Sequence, residues 1–169
     1  MGYIAKAKAE GGKVIAGGTG DNTEGYFIQP TIIVTSDPKS VTMREEIFGP
    51  VLTVFVYEDS KVSETLTLVD ETTPYALTGG IFAADRAALR QIADHLRFSA
   101  GNIYINDKST GAVVGQQPFG GGRLSGSNDK PGASQFLHRW ISARTIKENF
   151  DLNGQVSYPH QLPDNIIVQ

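Results

Sequence analysis

Residues 78–106 read TGGIFAADRAALRQIADHLRFSAGNIYIN, and this stretch predicts a strand, a helix and a second strand. Thr78–Ala83 and Gly101–Asn106 are the predicted strands. Between them, Asp85 is suited to cap a helix, and apolar side chains recur on one helical face at Leu89, Ile92, Ala93 and Leu96. Because strands joined by a helix of about ten residues pair in parallel, the stretch favours an α/β fold over a β-sandwich.

The sequence before this unit continues the alternation of helices and strands. A helix is predicted over Tyr3–Glu10, and a second one over Val62–Asp70, where Asp70-Glu71 is expected to be a solvated helix end. Val51–Tyr57 is the clearest strand because it is rich in β-branched and aromatic residues. Shorter extended segments are predicted at Lys13–Ala16, Phe27–Ile28, Thr31–Val34 and, after residue 134, Trp140–Ile146. We therefore expect a largely parallel sheet with flanking helices.

Composition argues against several classes of function. The 169 residues carry a formal net charge of −3 with scattered basic residues, so a nucleic-acid partner is not expected. No apolar run approaches the roughly 20 residues that span a bilayer, so no membrane partner is expected. The chain has no cysteine, and the spacing of His95, His138 and His160 matches no local metal signature, so we predict no metal site.

The motif Glu45-Glu46-Ile47-Phe48-Gly49-Pro50 directly precedes the clearest strand. A carboxylate can accept both hydroxyl hydrogens of a ribose, and an aromatic ring two residues later can cover an apolar ring. The alternative is a turn in which Gly49-Pro50 redirects the chain and Phe48 belongs to the core. Taken alone the motif favours the turn, but together with the loop that follows it favours a ligand site.

A long loop over Asp107–Ser134 leaves the C-terminal end of a predicted strand, where open α/β sheets bind ligands. Thr110-Gly111-Ala112 offers small side chains and accessible backbone N–H groups, which suit a carboxylate. The pair Gly120-Gly121 is expected to allow close backbone packing beside a substrate pocket. The glycine run 120–122 lacks the spacing and the lysine of a phosphate-binding loop, so phosphate binding is disfavoured.

Together the motif at 45–51 and the run at 101–123 resemble the C-terminal part of the aldehyde dehydrogenase superfamily. The second run is similar to that of the 1-pyrroline-5-carboxylate dehydrogenases, also called glutamate-semialdehyde dehydrogenases. The resemblance implies the C-terminal portion of an aldehyde dehydrogenase catalytic domain. Residues 1–134 would be a partial catalytic domain, and residues 135–169 an oligomerisation strand with a C-terminal tail.

The resemblance also implies roles for individual residues. Glu46 and Phe48 would hold the nicotinamide ribose and ring of NAD. Gly111 and Ala112 would hold the α-carboxylate of glutamate semialdehyde or glutamate, although family members often carry serine at the second position. Phe119 would pack on the methylene stem of the substrate. Trp140–Ile146 would form the interface of a homo-oligomer.

The family's nucleophilic cysteine and general-base glutamate have no counterpart in this chain, so no catalytic residue is assigned and the chain alone is expected to be inactive. The resemblance implies a fragment whose parent oxidises L-glutamate 5-semialdehyde to L-glutamate in proline catabolism. The parent is expected in the mitochondrial matrix of a eukaryote or the cytoplasm of a bacterium. The alternative is a naturally short, non-catalytic relative that assembles with other proteins or binds a small molecule.

Overall fold

The computed structural model describes residues 1–113, 115–150, 157 and 159–161 of the chain. The chain divides into two units, Met1–Leu137 and His138–Gln169. All five residues assigned to ligands from the sequence lie in the first unit. No helix among the described residues has the length and apolar character needed to cross a membrane.

The described residues form four α-helices and nine short strands. The helices are α1 (Gly2–Ala9), α2 (Val41–Arg44), α3 (Val62–Glu71) and α4 (Arg86–His95). The strands are β1 (Lys13–Ala16), β2 (Gly20–Asp21), β3 (Phe27–Ile28), β4 (Thr31–Thr35), β5 (Val51–Phe55), β6 (Tyr75–Ala76), β7 (Thr78–Ile81), β8 (Asn102–Ile105) and β9 (Gly122–Arg123). Their alternation along the chain confirms the predicted α/β class.

The first sheet has the order β1-β4-β5, with β4 in the centre. Strand β4 pairs antiparallel with β1 and parallel with β5, in a register that places Thr31 opposite Val51. Strand β4 is paired on both edges, and its side chains are buried or half-buried throughout, with Ile33 fully buried. This sheet fixes the start of β5, directly after the Glu46 motif.

The second parallel pair is β7–β8, whose register runs from Thr78 opposite Asn102 to Ile81 opposite Ile105. The crossover between these strands is α4, and the Asp85 carboxylate caps it by accepting a hydrogen bond from the Ala87 amide at 2.9 Å. The strand, helix and strand predicted from residues 78–106 are therefore confirmed. Strand β8 ends where the long loop begins.

The sheets are mixed. The parallel pairings β4–β5 and β7–β8 agree with the prediction, and β1–β4, β2–β3 and β6–β9 add antiparallel pairings. One detail of the predicted architecture is wrong. Trp140–Ile146 is not a strand, since Ser134–Trp140 forms a 3-10 helix and residues 141–149 have no regular structure. A strand needs a neighbour to accept its backbone hydrogen bonds, and the described residues of the second unit contain no strand that could pair with it.

Candidate functional site

The Glu46 turn, residues 45–50, connects α2 to β5. It is bonded to the body of the chain at its two ends, where the Glu45 amide donates to the Val41 carbonyl (3.0 Å) and the Thr31 amide donates to the Pro50 carbonyl (2.9 Å). Glu45 is exposed and accepts a hydrogen bond from the Tyr3 hydroxyl at 2.9 Å. That hydrogen bond, with the negative charge of Glu45, raises the pKa of Tyr3.

Phe48 is the most unusual residue of the turn. Its side chain is 94% exposed, so the alternative in which Phe48 belongs to the core of this chain is wrong. Its φ of 54° lies in the left-handed region, which disfavours bulky residues by about 1–2 kcal/mol. A strained backbone that presents an aromatic ring to solvent is typical of a residue that contacts a ligand or another segment of protein.

Glu46 is exposed and borders a cleft of about 420 Å³. The floor of this cleft comes from strand β7, residues Thr78–Ile81, and from Ile103 of β8. Its walls come from the end of α3 and from the turn that follows α4, including Val69 and Ser99. The carboxylate therefore stands at the edge of a largely apolar cleft over a parallel strand pair, an arrangement suited to a ligand with both polar and apolar parts.

The predicted carboxylate-binding segment lies in the exposed first part of the long loop. Gly111 has a φ of 83° and is exposed, with open space where a side chain would point. Ala112 is half-buried. Positive φ at Gly111 lets successive amides turn towards one side, as in backbone nests that bind anions.

The beginning of the long loop lies beside the Glu46 cleft. A Cβ added at Gly80 in β7 would lie 3.0 Å from the Cβ of Ser109, so Ser109 passes directly over this strand. Gly80 also lines the cleft that Glu46 borders. Gly111 and Ala112 follow within a few residues, but they do not line that cleft.

The Phe119 arm, residues 118–123, is packed closely against the sheet. Gly121 is buried, and a Cβ at this position would lie 2.7 Å from the Ala76 carbonyl oxygen and 2.8 Å from Leu77 Cα. Only glycine fits this approach, which confirms the expected close backbone packing at Gly120-Gly121. Phe119 remains 44% exposed beside this contact.

Sequence reasoning missed two groups of side chains that organise this region. Asp70, predicted as a solvated helix end, is half-buried and accepts hydrogen bonds from Ser99 and from Arg123 Nη2 (2.5 Å). The hydrogen bonds from Ser99 and Arg123 lower the pKa of Asp70. Asn106, with a φ of 52°, bonds through its amide to both backbone groups of Ala83 and so continues the β7–β8 pairing. An asparagine directly after a strand was the available signal, because asparagine tolerates the left-handed region.

The structure brings together some of the assigned residues. Glu46 and Phe48 share one exposed turn, and Gly111 and Ala112 share another. Phe119 stands on a separate, anchored arm and does not line the Glu46 cleft. Among the described residues, no group of three acidic, histidine or cysteine side chains is placed to hold a metal ion.

Comparison with known proteins gives consistent matches. The sequence profile of the aldehyde dehydrogenase family matches residues 1–146. The mitochondrial delta-1-pyrroline-5-carboxylate dehydrogenase of Dictyostelium discoideum is 58% identical over 165 residues, which cover 96% of this chain and 30% of that enzyme. The chain thus spans less than a third of the length of this relative.

Solved structures give the same picture. The crystal structure of the delta-pyrroline-5-carboxylate dehydrogenase from Mycobacterium tuberculosis matches with a TM-score of 0.77 at 47% identity, covering 96% of this chain and 30% of that one. A structure of the Mycobacterium enzyme bound with NAD matches with a TM-score of 0.72 at 46% identity, with the same coverage.

Proposed function

The chain belongs to the aldehyde dehydrogenase family, and we propose that it is the C-terminal part of an NAD-dependent 1-pyrroline-5-carboxylate dehydrogenase. The whole enzyme would oxidise L-glutamate 5-semialdehyde to L-glutamate. The observation that carries the proposal is the 58% identity to such an enzyme over 96% of this chain. The corresponding enzyme of Dictyostelium discoideum is named mitochondrial, and we propose the mitochondrial matrix if the source is eukaryotic and the cytoplasm if it is bacterial.

The Glu46 turn is proposed to hold the nicotinamide end of the cofactor. The exposed Glu46 carboxylate can accept hydrogen bonds from two ribose hydroxyls, and the exposed Phe48 ring can cover one face of the nicotinamide. NAD, when bound, supplies the acceptor for the hydride that leaves the substrate. In this proposal, Glu46 and Phe48 orient the nicotinamide ring, since a misplacement of about 1 Å lowers the rate by on the order of 100-fold.

The loop is proposed to bind the aldehyde substrate. The amides of Gly111 and Ala112 would donate to the α-carboxylate, and charge-assisted hydrogen bonds of this kind are about twice as strong as neutral ones. The ring of Phe119 would pack on the methylene stem and exclude water from it. Two donors and one apolar wall select a short aliphatic chain that ends in a carboxylate.

The chain by itself is proposed to be inactive. It has no cysteine to supply a thiolate, and the roles proposed for its residues are binding and orientation. We expect no NADH formation from the isolated chain and only weak glutamate binding, with a Kd near or above the millimolar range that corresponds to about −4 kcal/mol.

The proposal is tested with the longest reading frame that contains this chain, expressed beside the chain alone. The expected result is NADH formation with glutamate semialdehyde from the long protein and none from the short one. Calorimetry with glutamate measures the binding of each. A long protein that oxidises other aldehydes but not this one, or turnover that copurifies with the short chain, would overturn the corresponding part of the proposal.

A further inference from the structure

The backbone around Phe119 is held by residues from other segments at three consecutive positions. The bonds join Asn102 Nδ2 to the Pro118 carbonyl (2.8 Å), the Phe119 amide to the Pro131 carbonyl (2.9 Å) and Lys130 Nζ to the Gly120 carbonyl (3.0 Å). These bonds therefore fix the position of the Phe119 backbone and the direction of its Cα–Cβ bond, while the ring is 44% exposed.

Lys130 is the centre of this arrangement. Its ammonium group donates to three oxygens, those of the Gly101 carbonyl (2.5 Å), the Asn102 side chain (3.1 Å) and the Gly120 carbonyl (3.0 Å). An ammonium group has three donors, so its hydrogen-bonding capacity is fully used. Lys130 is half-buried, and desolvation lowers its pKa. None of its three acceptors is a carboxylate, so the contacts fix geometry rather than neutralise a charge.

The backbone of Lys130 is strained, and the contacts of its side chain account for the presence of lysine at this position. Its φ of 56° lies in the left-handed region, where glycine or asparagine is easier to accommodate than lysine. Neither of those residues could reach the three oxygens. The strained backbone at Lys130 is consistent with a requirement for its long cationic side chain, which connects the start of β8 to the Phe119 arm.

We propose that Lys130 is a positioning residue for substrate binding that acts through Phe119. By joining the start of β8 to the Gly120 carbonyl, it holds the ring at the distance from the Gly111 turn that the methylene stem of the substrate requires. This inference rests on the proposed function, in which Phe119 contacts that stem. Lys130 has no direct contact with the substrate or NAD in this assignment.

The kinetic test uses the long protein and the substitution Lys130→Met, which keeps the aliphatic stem and removes the ammonium. The expected result is a rise of about tenfold in KM for glutamate semialdehyde, with kcat and the KM for NAD changed less than about twofold. Lys130→Arg should rescue KM only partly, because a planar guanidinium cannot match three oxygens around one nitrogen. Lys39→Met, the same change at an exposed lysine between β4 and α2, is the matched control and should leave all three constants unchanged.

A second test uses the chain itself and the fact that it contains no cysteine. In Lys130→Cys the introduced thiol is unique, and 2-bromoethylamine converts it to an aminoethyl thioether that restores an ammonium at nearly the length of lysine. We expect hydrogen exchange at the Phe119 amide to be about tenfold or more faster in the unmodified variant and to return to the original rate after modification. In Lys39→Cys, treated in the same way, the Phe119 amide should exchange at the original rate both before and after modification.

The two tests separate this inference from the function on which it rests. A long protein without glutamate-semialdehyde activity would overturn the proposed function, while the exchange rates would still decide whether Lys130 holds the arm. An unchanged exchange rate at Phe119 in Lys130→Cys, or a loss of activity expressed in kcat rather than KM, would overturn the role of Lys130.

Discussion

The Glu46 turn and the Phe119 arm carry the aromatic residues proposed for the two ligands, yet the rest of the chain holds them in opposite ways. Phe48 is 94% exposed on a turn that is bonded to the body near its two ends. Phe119 is 44% exposed on an arm whose backbone is bonded at three consecutive positions and whose Gly121 is packed against β6. The side chains proposed for NAD thus lie outside the packed part of the fold, whereas the backbone that carries the side chain proposed for the substrate is fixed by that packing. Substitutions in the turn should therefore change activity without changing the free energy of unfolding, whereas substitutions in the arm should change both.

The largest effect is expected for Glu46→Gln in the long protein. We expect the hydride-transfer step to slow by on the order of 100-fold, because the amide would still contact the ribose but would not accept two hydroxyl hydrogens in the same way. The free energy of unfolding should change by less than about 0.5 kcal/mol, since the side chain is exposed. Pre-steady-state kinetics measures the step, and an unchanged rate would remove Glu46 from the cofactor site.

The next largest effect is expected for Gly121→Ala. The added methyl group would lie 2.7 Å from the Ala76 carbonyl oxygen and 2.8 Å from Leu77 Cα, so backbone must move. We expect a loss of about 2 kcal/mol in the free energy of unfolding, measured by urea denaturation of the chain. Gly122→Ala is the matched control, because the adjacent position has open space, and it should be nearly neutral. Equal effects of the two substitutions would show that the arm is less closely packed than described.

A smaller effect is expected where the arm is joined to α3. Asp70→Asn weakens the contacts with Ser99 and Arg123 and should cost about 1 kcal/mol of stability near neutral pH. Because hydrogen bonding lowers the pKa of Asp70 in the folded chain, its contribution is complete above the ordinary value of about 3.9 and is lost as the pH falls through the lowered pKa.

The control for this prediction is Asp94→Asn, which removes the exposed ion pair between Asp94 and Arg97. That pair should contribute only a few tenths of a kcal/mol. Thermal or urea denaturation between about pH 2 and 7 measures both variants. If the free energy of unfolding of Asp70→Asn falls at low pH in the same way as that of the original chain, the Asp70 carboxylate does not anchor the arm.

The smallest change in stability is expected for Phe48→Asn, which should shift the free energy of unfolding by no more than about 0.5 kcal/mol, in the stabilising direction. Asparagine tolerates a positive φ, and the lost ring buries almost no surface. Denaturation of the chain provides the measurement. A loss of more than about 1 kcal/mol would mean that Phe48 packs within the chain and would end the contrast between the two regions.

Features that depend on neighbouring residues were predictable from the sequence. The Asp85 cap, helix α4 and the strands on either side of it follow from local spacing, and they were predicted with boundaries close to those observed. The exposed glycine turn at Gly111 also follows from local chemistry. The pair Gly120-Gly121 indicated close backbone packing, but its partners, Ala76 and Leu77, are distant in sequence and were not predictable.

Features that depend on distant partners were not predictable in the same way. Lys130 bonds to oxygens about 10 to 29 residues away, and no local pattern distinguishes it from a solvated lysine. Asp70 was predicted as a solvated helix end because Arg123, its partner, lies 53 residues further along. The predicted strand at Trp140–Ile146 had suitable residue types, but a strand also depends on a neighbour that sequence composition does not supply.

The strained backbone at Phe48 has a consequence for how this chain would vary over evolutionary time. At an exposed, left-handed position only a few residues relieve the backbone strain, so drift without selection for binding would favour replacement of phenylalanine by glycine, asparagine or aspartate. Folding gives no reason to keep the ring, and only selection through binding would retain it. Lineages that lost the ligand of the Glu46 turn should therefore lose Phe48 early, while Gly121 should persist for as long as the chain folds.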